Sequence, residues 1–214
     1  MKQGWARSPR AWLRALLLAL QLAWLCLGAP IAGAQEAAQG GPYTHGPSQL
    51  VFPELLGGMP RLLVKDYEPL RPGLGVGVKY GLEKPKIYAD VYVFNAGRVV
   101  IPEGTGDALV VQMFESAMND IRQMGASGRY RDVNFIGSDA IPLGDAPGAR
   151  SALRGRFAFT LDGVEVFSHV YGLAVHNHFI KLRFTYQRDQ LAEAVPVLAA
   201  ALRDLGTVLG SNVQ

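Results

Sequence analysis

Residues 151–187 read SALRGRFAFTL, DG, VEVFSHVYGLAV, HNH, FIKLRFTYQ, and this stretch decides the fold. Three runs alternate apolar and polar residues, and each break falls on turn-forming residues, so the pattern predicts three consecutive antiparallel strands. Asp162-Gly163 suits a tight hairpin because Gly tolerates positive φ. The second break, at His176-Asn177-His178, sets the register of the third strand. A one-residue slip there would turn every side chain to the other face.

A three-residue loop is the reading preferred from the pattern. It places Leu153, Phe157, Phe159 and Leu161 on one face with Val164, Val166, Val170 and Ala174, and adds Ile180, Leu182, Phe184 and Tyr186. A two-residue loop would mix Lys181 and Arg183 into that apolar face. The opposite face then carries Arg154, Arg156, His169, Tyr171, Lys181 and Arg183. Arg154, Tyr171 and Arg183 would form one cross-strand row, and Arg156, His169 and Thr185 the next. Cations beside aromatics can hold an anionic or planar ligand by charge-assisted hydrogen bonds and cation–π contact. The plainer reading is a half-solvated sheet face whose Arg stems lie along Tyr and Phe. Arg154 and Arg156 should lower the pKa of His169 and keep it a neutral hydrogen-bonding group.

Upstream, residues 1–34 read as a leader rather than as fold. Lys2, Arg7, Arg10 and Arg14 precede the apolar run Ala15–Gly28, and Ala32-Gly33-Ala34 supplies a small-x-small cleavage pattern. A signal peptide cut after Ala34 is expected, which sends the chain to a periplasmic or secreted location. The apolar run is short for a membrane span of about 20 residues, and no later stretch is apolar enough. The leader holds four of the 21 Lys and Arg and no acid, leaving 17 against 18 Asp and Glu. The remaining chain is near neutral, which gives no global field for nucleic acid. All three Trp and the single Cys, Cys26, also lie in the leader. A processed chain would have no disulfide, no thiol chemistry and no Cys-ligated zinc.

Residues 35–60 are rich in Gly, Pro, Ala and Gln, and their composition predicts a flexible arm, with His45 solvated. A single domain is expected over 61–210, and residues 211–214 as a tail. Leu74–Tyr80 and Lys86–Asn95 read as strands. Gly73, Gly75 and Gly77 precede or occupy a strand, which is the wrong context for a phosphate-binding loop. Asp107–Met124 reads as a helix capped by Thr105 or Asp107, with Val110, Phe114, Ala117, Ile121 and Met124 as its apolar stripe. Tyr130–Ser138 reads as a strand. A second helix runs from an Asp189 cap to about Leu205, with a kink or fresh start at Pro196.

The usual catalytic signatures are missing: there is no Gly-x-Ser-x-Gly, no His-Glu-x-x-His and no Asp-rich calcium loop. No cofactor is implied. His176 and His178 are secondary metal candidates at a hairpin tip, lacking a neighbouring acidic ligand. Three functions remain in view. The leading one is an accessory protein that binds a protein partner or a small anionic ligand. The others are a hydrolase built from dispersed Asp, Glu and His, and a structural or assembly subunit.

The element order from Leu74 to Leu205, with Tyr88–Gly97 (YADVYVFNAG) and His178–Tyr186 (HFIKLRFTY), resembles secreted bacterial proteins of the PsbP-like fold. The resemblance implies an α+β domain, with an antiparallel sheet that includes the C-terminal three-stranded meander and packs against two main helices. It also implies a binding, assembly or accessory role. It supplies no catalytic residue.

Overall fold

In a computed structural model, which describes residues 40–145 and 147–210, the C-terminal run forms the three strands expected of it. The strands in chain order are β1 (Tyr43–His45), β2 (Leu50–Phe52), β3 (Leu55–Leu56), β4 (Met59–Asp66), β5 (Val76–Leu82) and β6 (Ile87–Phe94), then β7 (Arg131–Pro142), β8 (Ser151–Leu161), β9 (Val164–Val175) and β10 (His178–Gln187). Helix α1 (Ala108–Ala126) lies between β6 and β7, and α2 (Leu191–Gly210) closes the chain after a short 3-10 turn. Eight strands form one sheet in the order β3-β4-β5-β6-β10-β9-β8-β7, while β1 and β2 pair separately. Every pairing is antiparallel. The fold class is α+β. Among the described residues no helix is long and apolar enough to cross a membrane.

The first hairpin has the expected register, with Phe159 opposite Val166 and Leu161 opposite Val164. The second does not. Its turn has two residues, His176 and Asn177, both at positive φ (49° and 61°), and His178 is already paired with Val175. Two positive φ values give the turn twist that a two-residue hairpin needs. Tyr171 therefore faces Leu182 rather than Arg183, and Arg183 faces Val170. The expectation of one pure apolar face fails because both faces of the sheet centre are covered, so neither has to be wet.

One face carries Val76, Val78, Val91, Val93, Ile180, Leu182 and Phe184 and packs beneath α2, through Ala194, Ala201, Leu205, Val208 and Leu209. The other carries Phe157, Phe159, Val166 and Val170 and packs beneath α1, through Phe114, Ala117, Met118 and Ile121. Each fully buried Phe stabilises the fold by roughly 2–3 kcal/mol relative to an exposed one. Asp107 caps α1 by accepting the Leu109 N–H at 2.8 Å. Pro196 lies inside a single continuous α2 instead of starting a new helix. It sits on the exposed side, where the carbonyl that loses its partner can meet water.

Where a flexible arm was expected, Leu50, Phe52, Leu56 and Met59 are fully buried in the α2-side core. Gly57 donates its N–H to Asp204 of α2 at 2.7 Å. His45 is buried, accepting or donating a 2.7 Å hydrogen bond with Ser48, and its ring meets His178 edge-on at 5.4 Å. The residues expected to form the leader and tail, 1–34 and 211–214, lie outside the described residues.

Candidate functional site

The two-residue turn divides the six residues picked from the sequence. Arg154, Arg156, His169 and Tyr171 share the α2-side face, on the β8–β9 half of the sheet, whereas Lys181 and Arg183 project from the opposite face beside α1. Arg154 stands opposite Tyr171, and Arg156 opposite His169. The rows continue across β10 to Leu182 and Phe184, not to Arg183 and Thr185.

On the first face, Arg154 grips Asp139 of β7 through both prongs, Nε to Oδ1 at 2.8 Å and Nη2 to Oδ2. That hydrogen bond holds the Asp139 carboxyl below its ordinary range. Burial raises the pKa of the Tyr171 phenol, against the pull of Arg154 beside it. His169 lies between two phenols, with Nδ1 3.3 Å from Tyr171 Oη and Nε2 3.4 Å from Tyr186 Oη. Burial first, then Arg154 and Arg156, lowers its pKa to about 4. The imidazole is neutral at pH 7, as its cationic neighbours required.

Arg156 differs from Arg154. Its Nε is buried and has no hydrogen-bond partner. A β-bulge at Phe135–Gly137 and the positive φ of Gly137 (154°) place bare backbone opposite it. A Cβ at Gly137 would come 3.4 Å from Arg156 Nη2. Two guanidiniums therefore share one carboxylate, which Arg154 already holds by both oxygens, next to a neutral imidazole. The excess positive charge, half-buried and fork-shaped, suits a carboxylate or phosphate. Asp139 and Tyr186 belong to this niche and were missed from the sequence. Asp139 lies one residue beyond the strand expected over Tyr130–Ser138, which in fact runs on to Pro142, and the three-residue loop puts Tyr186 on the wrong face.

The second face holds a different cluster. Arg183 donates to Ser168 Oγ at 3.0 Å and to Tyr130 Oη at 3.2 Å. Lys181 is only 5% exposed, and its Nζ lies 4.4 Å from the centre of the Tyr92 ring. Burial lowers its pKa to about 8, against the pull of Asp120. Asp120 of α1 is pushed up to about 6 by burial, and its Oδ1 has no partner. These groups join α1 to the sheet.

The two metal candidates serve as anchors of the β9–β10 turn. His176 Nδ1 lies 3.0 Å from the Ser48 carbonyl oxygen, and His178 Nδ1 lies 2.7 Å from the carbonyl oxygen of His176. Among the described residues no group of three or more His, Cys, Asp or Glu is placed to hold a metal ion.

The buried imidazoles make acid stability testable. His45 and His169 both fall from an ordinary 6.5 to about 4 on folding. Between these values the unfolded chain binds protons that the native state refuses, so their stabilisation is present above pH 6.5 and lost as pH falls towards 4. His169→Gln is expected to flatten that limb by about 1–2 kcal/mol after allowance for its partial exposure. Urea denaturation at pH 7 and pH 4.5 measures it, and an unchanged limb would assign acid sensitivity to other groups.

The sequence matches no protein-family model, and no curated protein matches it. Among solved structures, it is similar to the solution structure of cyanobacterial PsbP (CyanoP) from Synechocystis, at 14% identity. The match covers 86% of this chain and 93% of that one, with a TM-score of 0.44. That protein is of the kind the element order resembled. The α+β arrangement itself stands on the strands and helices described above, and what the site can do follows from this chain's own residues.

Proposed function

We propose that this chain is an exported, non-enzymatic binding protein that accepts an anionic group in the Arg154–Arg156–His169–Tyr171 niche. The observation that carries the reading is the Arg156 guanidinium: its Nε is buried without an acceptor, while the nearest carboxylate is engaged by Arg154. A buried donor left unpaired costs free energy, and an anion arriving there recovers it. Tyr171 and Tyr186 hold His169 by both ring nitrogens, which gives the ring a supporting rather than a proton-shuttling place. This speaks against the hydrolytic alternative, where His needs a nucleophile or water within reach. Export rests on the basic, apolar and small-x-small segments of residues 1–34.

Binding of inorganic phosphate and of a dicarboxylate, read by thermal shift and calorimetry, tests the proposal. A ligand at 100 times its Kd stabilises the native state by about 2.7 kcal/mol. Arg156→Ala is expected to abolish that shift without loss of the fold, because its buried Nε has no hydrogen-bond partner within the domain to lose. Arg122→Ala, on the exposed side of α1, should leave it intact. An undiminished shift in Arg156→Ala would overturn the reading.

A further inference from the structure

The anion niche lies beside a free edge of the sheet. β7 closes the eight-stranded sheet, and among the described residues no strand pairs with its outer side. Natural edges are blunted by bulges, charges or short length. The first half of β7 is blunted in this way, with register shifts at Arg131–Asn134 and Phe135–Gly137. The second half is regular: residues 137–142 pair with 151–156 without a shift, and Ser138, Asp139 and Ala140 are exposed. Every second residue of an antiparallel strand turns its N–H and C=O away from the neighbour. Gly137, Ser138 and Ala140 carry little side chain to screen those groups.

Arg156 reaches that edge. It stands opposite Gly137, and its Nη2 lies 3.4 Å from where a Gly137 Cβ would be. The guanidinium thus fills the place over β7 that a side chain at 137 would take. Asp139, two residues along β7 on the same face, is already gripped by Arg154. An added strand would lie about 4.8 Å beyond β7. Its residue opposite Gly137 would place a Cβ about 5 Å away, within reach of Arg156 for a carboxylate on that residue.

We infer that the anion taken by the niche is a carboxylate carried on an extended peptide segment of a partner protein, which adds to residues 137–142 as a further strand. This rests on the reading of the niche above and names its ligand. Backbone pairing supplies affinity that is independent of sequence, and Arg156 supplies the preference for Asp or Glu at one position. The next position on the same face, opposite Asp139, meets a carboxylate and disfavours a second acid. The edge therefore selects one acid, not an acidic run. A second copy of this chain fits less well. Antiparallel pairing of 137–142 with itself would set the uncharged Pro142 opposite Gly137, and shifting Asp139 to that place draws the Phe135–Gly137 bulge into the ladder.

Selection of random displayed peptides on the immobilised full chain tests this. Enriched peptides are expected to be rich in Val, Ile, Thr and Tyr and to carry Asp or Glu at one fixed position. A synthetic copy of the most enriched peptide should lose about tenfold in affinity when that acid becomes its amide. Arg156→Ala should bind the acid and amide forms alike. N-methylation of alternate backbone nitrogens separates strand addition from simple charge pairing. One alternating set should abolish binding and the other should leave it, because only every second N–H faces β7. That comparison uses the parent chain, so it stays decisive if Arg156→Ala fails to fold. No enrichment, enrichment of acidic runs, an acid preference that survives Arg156→Ala, or equal tolerance of the two N-methyl sets would each overturn the inference. So would a dimer of the free chain in sedimentation that Arg156→Ala dissolves, which would give the edge to a second copy. A phosphate shift in the parent beside any of these failures would leave the anion niche standing, whereas absence of that shift as well would remove the niche itself.

Discussion

Phe52→Ala is expected to lower the free energy of unfolding by about 4 kcal/mol, the usual loss for a fully buried Phe truncated to Ala. Composition places this residue in a flexible arm, yet Phe52 is completely buried and stacks near Tyr43, with ring centroids 6.4 Å apart. Its carbonyl also accepts a hydrogen bond from Arg61 Nη1 at 3.1 Å. Tyr80, on the central sheet, donates its hydroxyl to the neighbouring Pro53 carbonyl at 2.9 Å. Truncation would therefore open a cavity between the arm, α2 and the sheet, not at the surface. Urea denaturation of the parent and variant measures it. A loss below about 1 kcal/mol would mean that the arm detaches without consequence for the core.

Lys181→Met is expected to destabilise the fold by about 3 kcal/mol at pH 7, where Lys181 is still mostly charged, and much less at pH 5. Met fills the aliphatic volume over Tyr92 but removes the cation that faces Asp120 and Asp90. Burial already raises both carboxyls, Asp120 to about 6. A carboxyl raised on folding contributes stability that is fully present below its unfolded value near 4 and lost as pH rises through the folded value. For the parent that loss falls between about pH 4 and 6 through Asp120. Without Lys181 both carboxyls should titrate higher, so the variant's deficit should grow as pH rises. The difference between variant and parent, measured by denaturation at pH 5 and pH 7, cancels the contributions of the histidines and stays below the titration of Lys181 itself. Equal deficits at the two pH values would mean that Lys181 acts through packing on Tyr92 alone. Lys181→Met with Asp120→Asn should recover part of the loss at pH 7.

The elements were legible where local rules act alone. Asp162-Gly163 specified its hairpin through backbone conformation, with φ of 50° and 82°, and Asp107 specified the start of α1 through its cap. The second turn failed for a physical reason. His176-Asn177 carries no Gly, and the register was chosen to keep Lys181 and Arg183 out of an apolar face, on the premise that one face must be wet. Lys181 is buried over an aromatic ring and beside acids, a position that charge alone argues against and that only the opposing Tyr92, Asp120 and Asp90 make tolerable. The arm failed similarly. A stretch rich in Gly and Pro was read as a linker, yet Gly57 is where it touches α2: a Cβ there would come 2.6 Å from the Ala201 nitrogen.

The sequence by itself determined the strand and helix order from β5 onwards, the meander, the α1 cap and the pairing of Arg154 with Tyr171 and Arg156 with His169, because these depend on residues close along the chain or on one hairpin. Only the tertiary structure decided which face each β10 residue joins, that Asp139 occupies Arg154 and leaves Arg156 Nε without an acceptor, and that Lys181 is buried over Tyr92. Each of those depends on where α1, α2, β7 and the N-terminal segment come to rest, and side-chain alternation has a period of two that is blind to what covers the two sides of a sheet.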